Sequence, residues 1–420
     1  MRLVKNLMEI LKYPICDNCL GRIIGGQLLH GLNNKERGKI FRYMIAFLID
    51  SGEKFDMDYS NFYEIEFRNL KFSANKKKCF VCKNFFEKDL EKYAKKIISR
   101  IEKFEFESFL VGCRPKEEMI KAEEEIFEKI GIEFVERIKE EINREVGKII
   151  EKKLKKKFDP QNPDITILLD LENDRISVQI KSLFIFGKYK KLVRNIPQSK
   201  WICRYCKGKG CLKCKGKGKL YPTSVQEIIE KPLLKETKAK KSKFHASGRE
   251  DIDARCLDYR PFVIELVKPL KRKINLAKIR REINKSKKIK VSSFKFVDHS
   301  LVKQIKSQRN DKTYLVVVTF SKKIDEKKLK EIKKLKTVIE QKTPLRVLHR
   351  RAAKTRKRLV KSIRWKLISA KKLELKIRAQ AGLYIKELIT GDNGRTKPNL
   401  AEILENKPKK ILLDVIKIHG

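Results

Sequence analysis

The spacing of apolar residues changes along this chain, and the changes mark out its regions. Between Lys35 and Ser51, Phe41, Met44, Ile45 and Leu48 fall three or four positions apart, which predicts a helix with one buried face. From Glu117 to Lys157 the same period returns. Ile126, Ile130, Ile132, Val135, Ile138 and Ile142 form an apolar stripe among Glu and Lys, which predicts helices facing a core rather than a partner. The period then shortens. Asp164–Leu171 reads as a strand, Asp174 and Arg175 as a turn, and Ile176–Ile180 as a second strand of alternating apolar and polar residues. Gly187–Gln198 is a basic segment with Tyr189 near its start. Trp201–Leu220 packs four cysteines and four glycines and reads as a connector. Further strands are expected at 262–267, 314–320, 373–379 and 410–418, between Lys-rich helical segments, and Glu236–Lys243 is expected to be a mobile loop. We find no internal repeat of fixed period. The pattern is that of an α+β, multidomain protein.

Length and charge add a partner. At 420 residues the chain is long for one domain, so two or three are expected. Lys and Arg total 103 against 53 Asp and Glu, a formal charge of +50. Self-repulsion on that scale calls for a polyanion, RNA or DNA, to neutralise it. A heat-adapted composition would enrich Lys and Glu together, and leaves the excess of basic residues unexplained. No stretch approaches the roughly 18 apolar residues of a membrane span, and the N-terminal residues lack a signal-peptide core. A cytoplasmic protein with reduced thiols is the expectation.

Eight of the ten cysteines form four C-x-x-C pairs, which in that setting favours metal over disulfides. Cys16 and Cys19, with Cys79 and Cys82 some sixty residues on, suit one closed, structural zinc site, each pair offering two thiolates from a turn. Buried free thiols are the bland alternative. Cys203, Cys206, Cys211 and Cys214 form a tighter possible second site, with redox-active thiols or a bare glycine hinge as alternatives. Cys113 and Cys256 are single and read as inert.

Nucleotide-cofactor loops are missing: Gly208-Lys209-Gly210 is followed by Lys213 where G-x-G-x-x-G needs glycine, and no G-x-x-x-x-G-K-[ST] string occurs. The five histidines are scattered. The run Arg346–Lys366, which includes Arg350 and Arg351, reads as phosphate-binding or as a solvated face. Against this basic background, Gly248-Arg249-Glu250-Asp251-Ile252-Asp253 stands out as a compact acidic loop before a strand.

Ordered strings resemble a known family. Gly248-Arg249-Glu250-Asp251 is similar to the G-R-x-D active-site motif of tRNA pseudouridine synthases. Extended through Arg260-Pro261-Phe262-Val263, it resembles the archaeal and eukaryotic branch that modifies the TΨC arm. Gln341–Arg351, Gly382–Leu388 and Asp392–Asn399 follow in that branch's order, as do the paired N-terminal cysteines. Gly187–Gln198 resembles the closing segment of a THUMP domain, an RNA-binding module. Ala381 and Leu383 depart mildly from the pattern.

The resemblance implies three regions. Residues 1–200 form a zinc-binding, THUMP-containing tRNA-binding region (THUMP at about 75–198), 201–220 a Cys/Gly-rich connector, and 221–420 a catalytic domain with a mixed, largely antiparallel sheet and flanking helices. It implies isomerisation of uridines 54 and 55, in tRNA numbering, to pseudouridine, by a monomer that needs no catalytic or nucleotide cofactor and holds structural zinc. Asp251 is the implied nucleophile, with Asp253 as a rival that a turn carboxylate would also explain. Tyr314 is expected to stack on the target base and assist proton removal. Lys386 is expected to keep Asp251 ionised. Tyr384 and Leu400 are expected against the uracil, and Arg249 in the gap left by the flipped base. A catalytically silent zinc protein that binds tRNA, and a THUMP enzyme of other chemistry, are the alternatives.

Overall fold

A computed structural model describes residues 2–71, 74–349 and 352–419, so Arg350 and Arg351 lie outside the described residues. The chain forms two compact units, Met1–Lys181 and Ser182–Gly420.

In the first unit the predicted helix is present as Asn34–Asp50. Asn33 starts it with a reciprocal cap. Its Oδ1 accepts from the Glu36 amide at 2.9 Å while Glu36 Oε2 accepts from the Asn33 amide at 2.8 Å. Its buried face differs from the expected one: Ile45 is buried, but Met44 and Leu48 are exposed and Phe47 is 76% exposed. Glycine contacts set this phase. A Cβ on Gly38 would run into the Asp17 carbonyl, and one on Gly21 into that of Asn34, so the helices Asp17–Gly25 and Asn34–Asp50 meet backbone to backbone.

The later stripe holds. Ile126, Ile130, Val135, Ile138 and Ile142 are buried in the helices Glu117–Ile130 and Ile138–Leu154 and the turn between them. Ile132 is exposed, because the first helix ends at Gly131 (φ 78°) and the phase breaks there. These helices pack with a four-stranded sheet in the order Lys157–Phe158, Ser108–Arg114, Ile165–Asp170, Arg175–Ile180. Only its last pairing is antiparallel.

The second unit is built on an eleven-stranded sheet. Its main path runs Thr396–Lys397, Val338–Lys342, Thr355–Ser369, Lys372–Ala379, Lys312–Phe320, Pro408–Ile418, Arg255–Val267, Leu183–Lys191, Ile289–Val291. The pairing of Pro408–Ile418 with Arg255–Val267 is parallel and spans two residue pairs, Asp414 with Arg255 and Val415 with Cys256. Among the described residues, the other strand pairings of this sheet are antiparallel. The four expected strands are there; three are slightly longer than the sequence pattern suggested, and that expected at 262–267 runs the thirteen residues Arg255–Val267.

Three expectations change. Leu183–Lys191 pairs along Arg255–Val267, from Leu183 opposite Leu266 to Lys191 opposite Cys256, so it belongs to the second unit and the break falls after Lys181 rather than near 200. The cysteine-rich stretch at 201–220 therefore lies within that unit and does not join the two. Glu236–Lys243 is no loop: the helix Val225–Thr237 ends in it and the strand Lys241–Ala246 begins in it.

Candidate active site

The acidic loop joins the strand Lys241–Ala246 to Arg255–Val267, and buried polar groups fix its backbone. Gly248 takes φ 74°, and a Cβ there would sit 3.1 Å from Arg260 Nη1, so glycine is required by conformation and by space. Glu250 turns inward, forming an ion pair with Arg260 at 3.0 Å, both side chains wholly buried. Glu250 also accepts from the Tyr189 hydroxyl at 3.1 Å, while Gln198 Nε2 donates to that hydroxyl at 2.8 Å and to the Gly248 carbonyl at 2.9 Å. Lys191, fully buried, directs its ammonium at three carbonyls: Ile196 and Asp251 at 3.0 Å and Ile252 at 3.1 Å. Burial lowers its pKa. Three donors meeting three acceptors tie the main chain at Asp251 and Ile252 to that at Ile196.

With its backbone fixed, Asp251 projects toward a cleft of about 470 Å³ lined also by Arg260, Lys312, Tyr314, Arg346 and Lys386. Asp251 Oδ1 accepts from Arg346 Nη1 at 3.0 Å, and Lys386 Nζ lies 3.5 Å from Oδ2. Arg346 is itself held by the buried Glu387 carboxylate, whose Oε1 accepts from its Nε at 2.6 Å. Burial alone would lower the Arg346 pKa; Glu387 and Asp251 outweigh it and raise it, so the guanidinium stays charged.

Lys386 is closer to Asp253 than to Asp251, at 2.7 and 2.8 Å from its two oxygens. Burial would raise the Asp253 pKa, but the Lys386 hydrogen bond and charge hold it below the usual carboxylate range. The lysine thus bridges both carboxylates, and the nearer cation to Asp251 is Arg346.

Tyr314 and Lys312 stand two apart on the strand Lys312–Phe320, so both side chains share the face that meets the cleft. Burial raises the Tyr314 pKa to about 12, so its phenol stays protonated near neutrality. Burial and the neighbouring Arg260 charge lower that of Lys312 to about 8. Tyr384 is set at the cleft edge by a two-way bond with Gln341, its amide donating to Oε1 and its carbonyl accepting from Nε2, each at 2.9 Å. Arg249 is exposed at the lip, with Nη2 3.4 Å from Ser199 Oγ.

The structure therefore brings Asp251, Tyr314, Lys386, Tyr384 and Arg249 to one cleft. Leu400 is not among them: it is fully buried in the core, and the apolar cleft residues include Leu413 and Val415 instead. Sequence reasoning missed Lys191, Arg260 and Lys312 as site residues and took Arg346 for a phosphate contact. Lys312 could have been found from its i, i+2 relation to Tyr314.

Both cysteine groups have the geometry of tetrahedral thiolate sites. In each, the four Sγ atoms lie within 4.8 Å of one another. A tetrahedron with Zn–S near 2.3 Å has edges of about 3.8 Å. Cys16 to Cys82 measures 3.5 Å, and the second group shows edges of 3.9, 3.8 and 3.7 Å. Each set could hold a zinc ion with no position left for substrate.

Comparison with known proteins gives the family. The family model "Pus10, C-terminal" matches residues 184–419, and "Pus10 THUMP domain, archaeal" matches 93–170. The second match lies wholly in the first unit, so Gly187–Gln198 belongs with the catalytic part and does not close the THUMP domain. Proteins called tRNA pseudouridine synthase Pus10 share 38% identity in Methanothrix thermoacetophila (100% of this chain, 95% of the relative) and 40% in Methanopyrus kandleri (99% and 98%). In Methanocaldococcus jannaschii the figure is 41% (98% and 93%). A chain from a Cbf5-Nop10-Gar1 complex superposes with a TM-score of 0.30 at 15% identity, over 54% of this chain and 47% of that one, a likeness too slight to carry an argument. The protein is a pseudouridine synthase, an isomerase. Within that class the chain belongs to the Pus10 family.

Proposed function

We propose that this protein converts uridines 54 and 55 of the TΨC loop of tRNA to pseudouridine with one active site, Asp251 acting as nucleophile. The observation that carries the assignment is the Asp251 carboxylate in the cleft, 3.0 Å from the Arg346 guanidinium and 3.5 Å from the Lys386 ammonium. Two cations hold the half-buried carboxylate in position for attack. In the proposed reaction Asp251 attacks C1′ of the target ribose, and the C1′–N1 bond breaks with its electron pair going to the uracil ring. The base turns and C5 attacks C1′, expelling the Asp251 carboxylate. The C5 proton is then lost and N1 is protonated, so no oxidant, reductant or nucleotide cofactor enters the balance. Tyr314, held protonated by its raised pKa, serves as a stacking surface and hydrogen-bond donor to the base. Tyr384 borders the uracil, and Arg249 at the exposed lip enters the space the flipped nucleotide leaves.

In this reading the THUMP-containing region, with zinc at Cys16, Cys19, Cys79 and Cys82, grips the tRNA and sets register. Cys203, Cys206, Cys211 and Cys214 have the geometry to hold a second zinc. The protein acts as a cytoplasmic monomer. Among the described residues no helix is long and apolar enough to cross a membrane. The charge of +50 supports a nucleic-acid substrate.

The test is Asp251→Asn beside Asp253→Asn on an unmodified tRNA transcript, with pseudouridine read by chemical mapping. The Asp251 variant is expected to make no detectable product while still binding tRNA. Asp253→Asn should retain activity within about tenfold, since it weakens the bond to Lys386 but removes no bond-making group. Product from Asp251→Asn would end the assignment.

A further inference from the structure

The second cysteine group has an order that neither the proposed reaction nor zinc binding requires. Cys203-Arg-Tyr-Cys-Lys-Gly-Lys-Gly210 is followed directly by Cys211-Leu-Lys-Cys-Lys-Gly-Lys-Gly218, an eight-residue unit written twice. The backbone repeats it as well. Lys207 and Lys215 take φ 48° and 51°, Gly208 and Gly216 take 96° and 73°, and Gly210 and Gly218 take 98° and 64°. The Gly210 amide donates to Cys206 Sγ and the Gly218 amide to Cys214 Sγ, both at 3.2 Å. A Cβ on Gly210 would meet the Gly216 carbonyl, and one on Gly218 that of Gly208, so the two halves face each other about a local pseudo-twofold axis. Glycine is needed at these positions by both φ and space.

Two fused knuckles of this kind make a small rigid platform, and its outer surface departs from the repeat. Where one half carries Arg204 and Tyr205, the other carries Leu212 and Lys213. Tyr205 is 65% exposed, with Lys213 Nζ 3.8 Å from its ring centroid on one face, and Leu212 is 97% exposed. From Ser199 to Gln226 there are eight Lys or Arg residues and no Asp or Glu, a local bias well beyond that of the whole chain.

The platform leaves the unit beside the cleft. At its base the Val225 amide donates to the Pro197 carbonyl at 3.0 Å and the Gln226 amide to that of Gln198 at 2.9 Å, while Trp201 packs edge-on against Tyr221. Gln198 is the side chain that holds Gly248 of the catalytic loop, and Ser199 meets Arg249. The base of the platform is thus joined by hydrogen bonds to the loop that carries Asp251.

We propose that the Cys203–Gly218 platform is an RNA contact, receiving an unpaired base on the open surface of Tyr205 and the adjoining phosphates on Lys207, Lys209, Lys215 and Lys217. An exposed aromatic ring with a lysine on one face, in a stretch that carries no acidic residue, has the chemistry that holds single-stranded RNA irrespective of sequence. The proposal deepens the tRNA reading above and rests on it for the substrate.

The experiment measures binding of an unmodified tRNA transcript to the full chain by fluorescence anisotropy over a range of salt, so its outcome does not depend on whether pseudouridine forms. Tyr205→Ala is expected to weaken binding about tenfold, as one stacking surface is removed, and Tyr205→Phe to restore it. Replacing the four lysines by Gln is expected to flatten the dependence of log K on log salt by about 0.7 for each phosphate no longer neutralised. Zinc content is measured in every variant. The lysine variant leaves the cysteines and glycines intact, so it decides the matter if Tyr205→Ala loses metal. Unchanged affinity and an unchanged salt slope with metal retained would overturn the proposal and mark Tyr205 and Leu212 as a protein-docking face.

Discussion

Lys312 shows what the cleft costs at the scale of one residue. Its ammonium is largely buried beside the Arg260 guanidinium and donates to the Asn310 carbonyl at 2.8 Å, and its pKa falls from 10.5 to about 8. The sign follows directly. Between about pH 8 and 10.5 the unfolded chain holds this proton more tightly than the folded one, so stability rises with pH across that window, and below it the folded protein carries the full penalty. Lys312→Met is therefore expected to stabilise the protein at pH 7 by about 1–2 kcal/mol, after allowing for water that reaches the cleft. The gain should shrink as pH climbs through 8 toward 10.5. Urea unfolding of both proteins at about pH 7 and about pH 10 checks this, and a gain independent of pH would count against it. The residues legible in the sequence were those inside a family motif: Asp251, Tyr314, Tyr384 and Lys386 follow from the resemblance to the pseudouridine synthase strings. Arg346 does not. An arginine in a basic run acquires meaning only from Glu387, forty-one positions on, which fixes it against Asp251.

Elements were legible where one face is buried and illegible where both are wet. Lys312–Phe320, Lys372–Ala379 and Arg255–Val267 alternate or run apolar and show in that pattern. Thr355–Ser369 spans fifteen residues, and Val360 is the one position among them that is fully buried, so its basic side chains masked the strand period. The repeat in Cys203–Gly218 escapes for another reason. A search for longer periods passes over a unit of eight whose logic is turn geometry rather than burial. Close helix packing was also invisible, because a glycine contact has no apolar signature. Gly38→Ala should expose it: the added methyl meets the Asp17 carbonyl, and the first unit should be destabilised by about 1–3 kcal/mol or more. Amide exchange in the helices Asp17–Gly25 and Asn34–Asp50 should quicken while that in Arg255–Val267 stays the same. A uniform change in both units, or none, would contradict it.

For the whole molecule, charge and cysteines said more than the fold did. The excess of basic residues pointed to a polyanion before any strand was placed. The division into two units was expected, and its position was misjudged by some twenty residues because Leu183–Lys191 is strand-like in sequence whichever unit receives it. The cysteine reading has a consequence for stability. Cys16 and Cys19 lie sixty residues from Cys79 and Cys82, and all four sit in or against the first unit's core, so a metal there would close a long loop. Apparent zinc affinities for such sites are worth about 10–16 kcal/mol, comparable with the stability of a whole domain. Cys79→Ser is thus expected to lower the measured zinc content by one ion per chain and to unfold the first unit, with the far-ultraviolet signal and tRNA affinity falling together. Full helical content with one zinc lost would show that this unit stands without its metal.

The parallel contact between Pro408–Ile418 and Arg255–Val267 gives the site its last property. Asp251 lies on one side of it, Tyr314, Arg346 and Lys386 on the other, and the backbone joint between them is two residue pairs long. Asp414 rivets that joint, accepting from Arg194 at 2.6 Å and from Arg255 at 3.0 and 2.6 Å. On the proposed mechanism the enzyme is in this sense a split reagent stored as one chain: the attacking group and the two cations that face it are carried by two half-sheets. On that mechanism, chemistry is available only while the seam is shut.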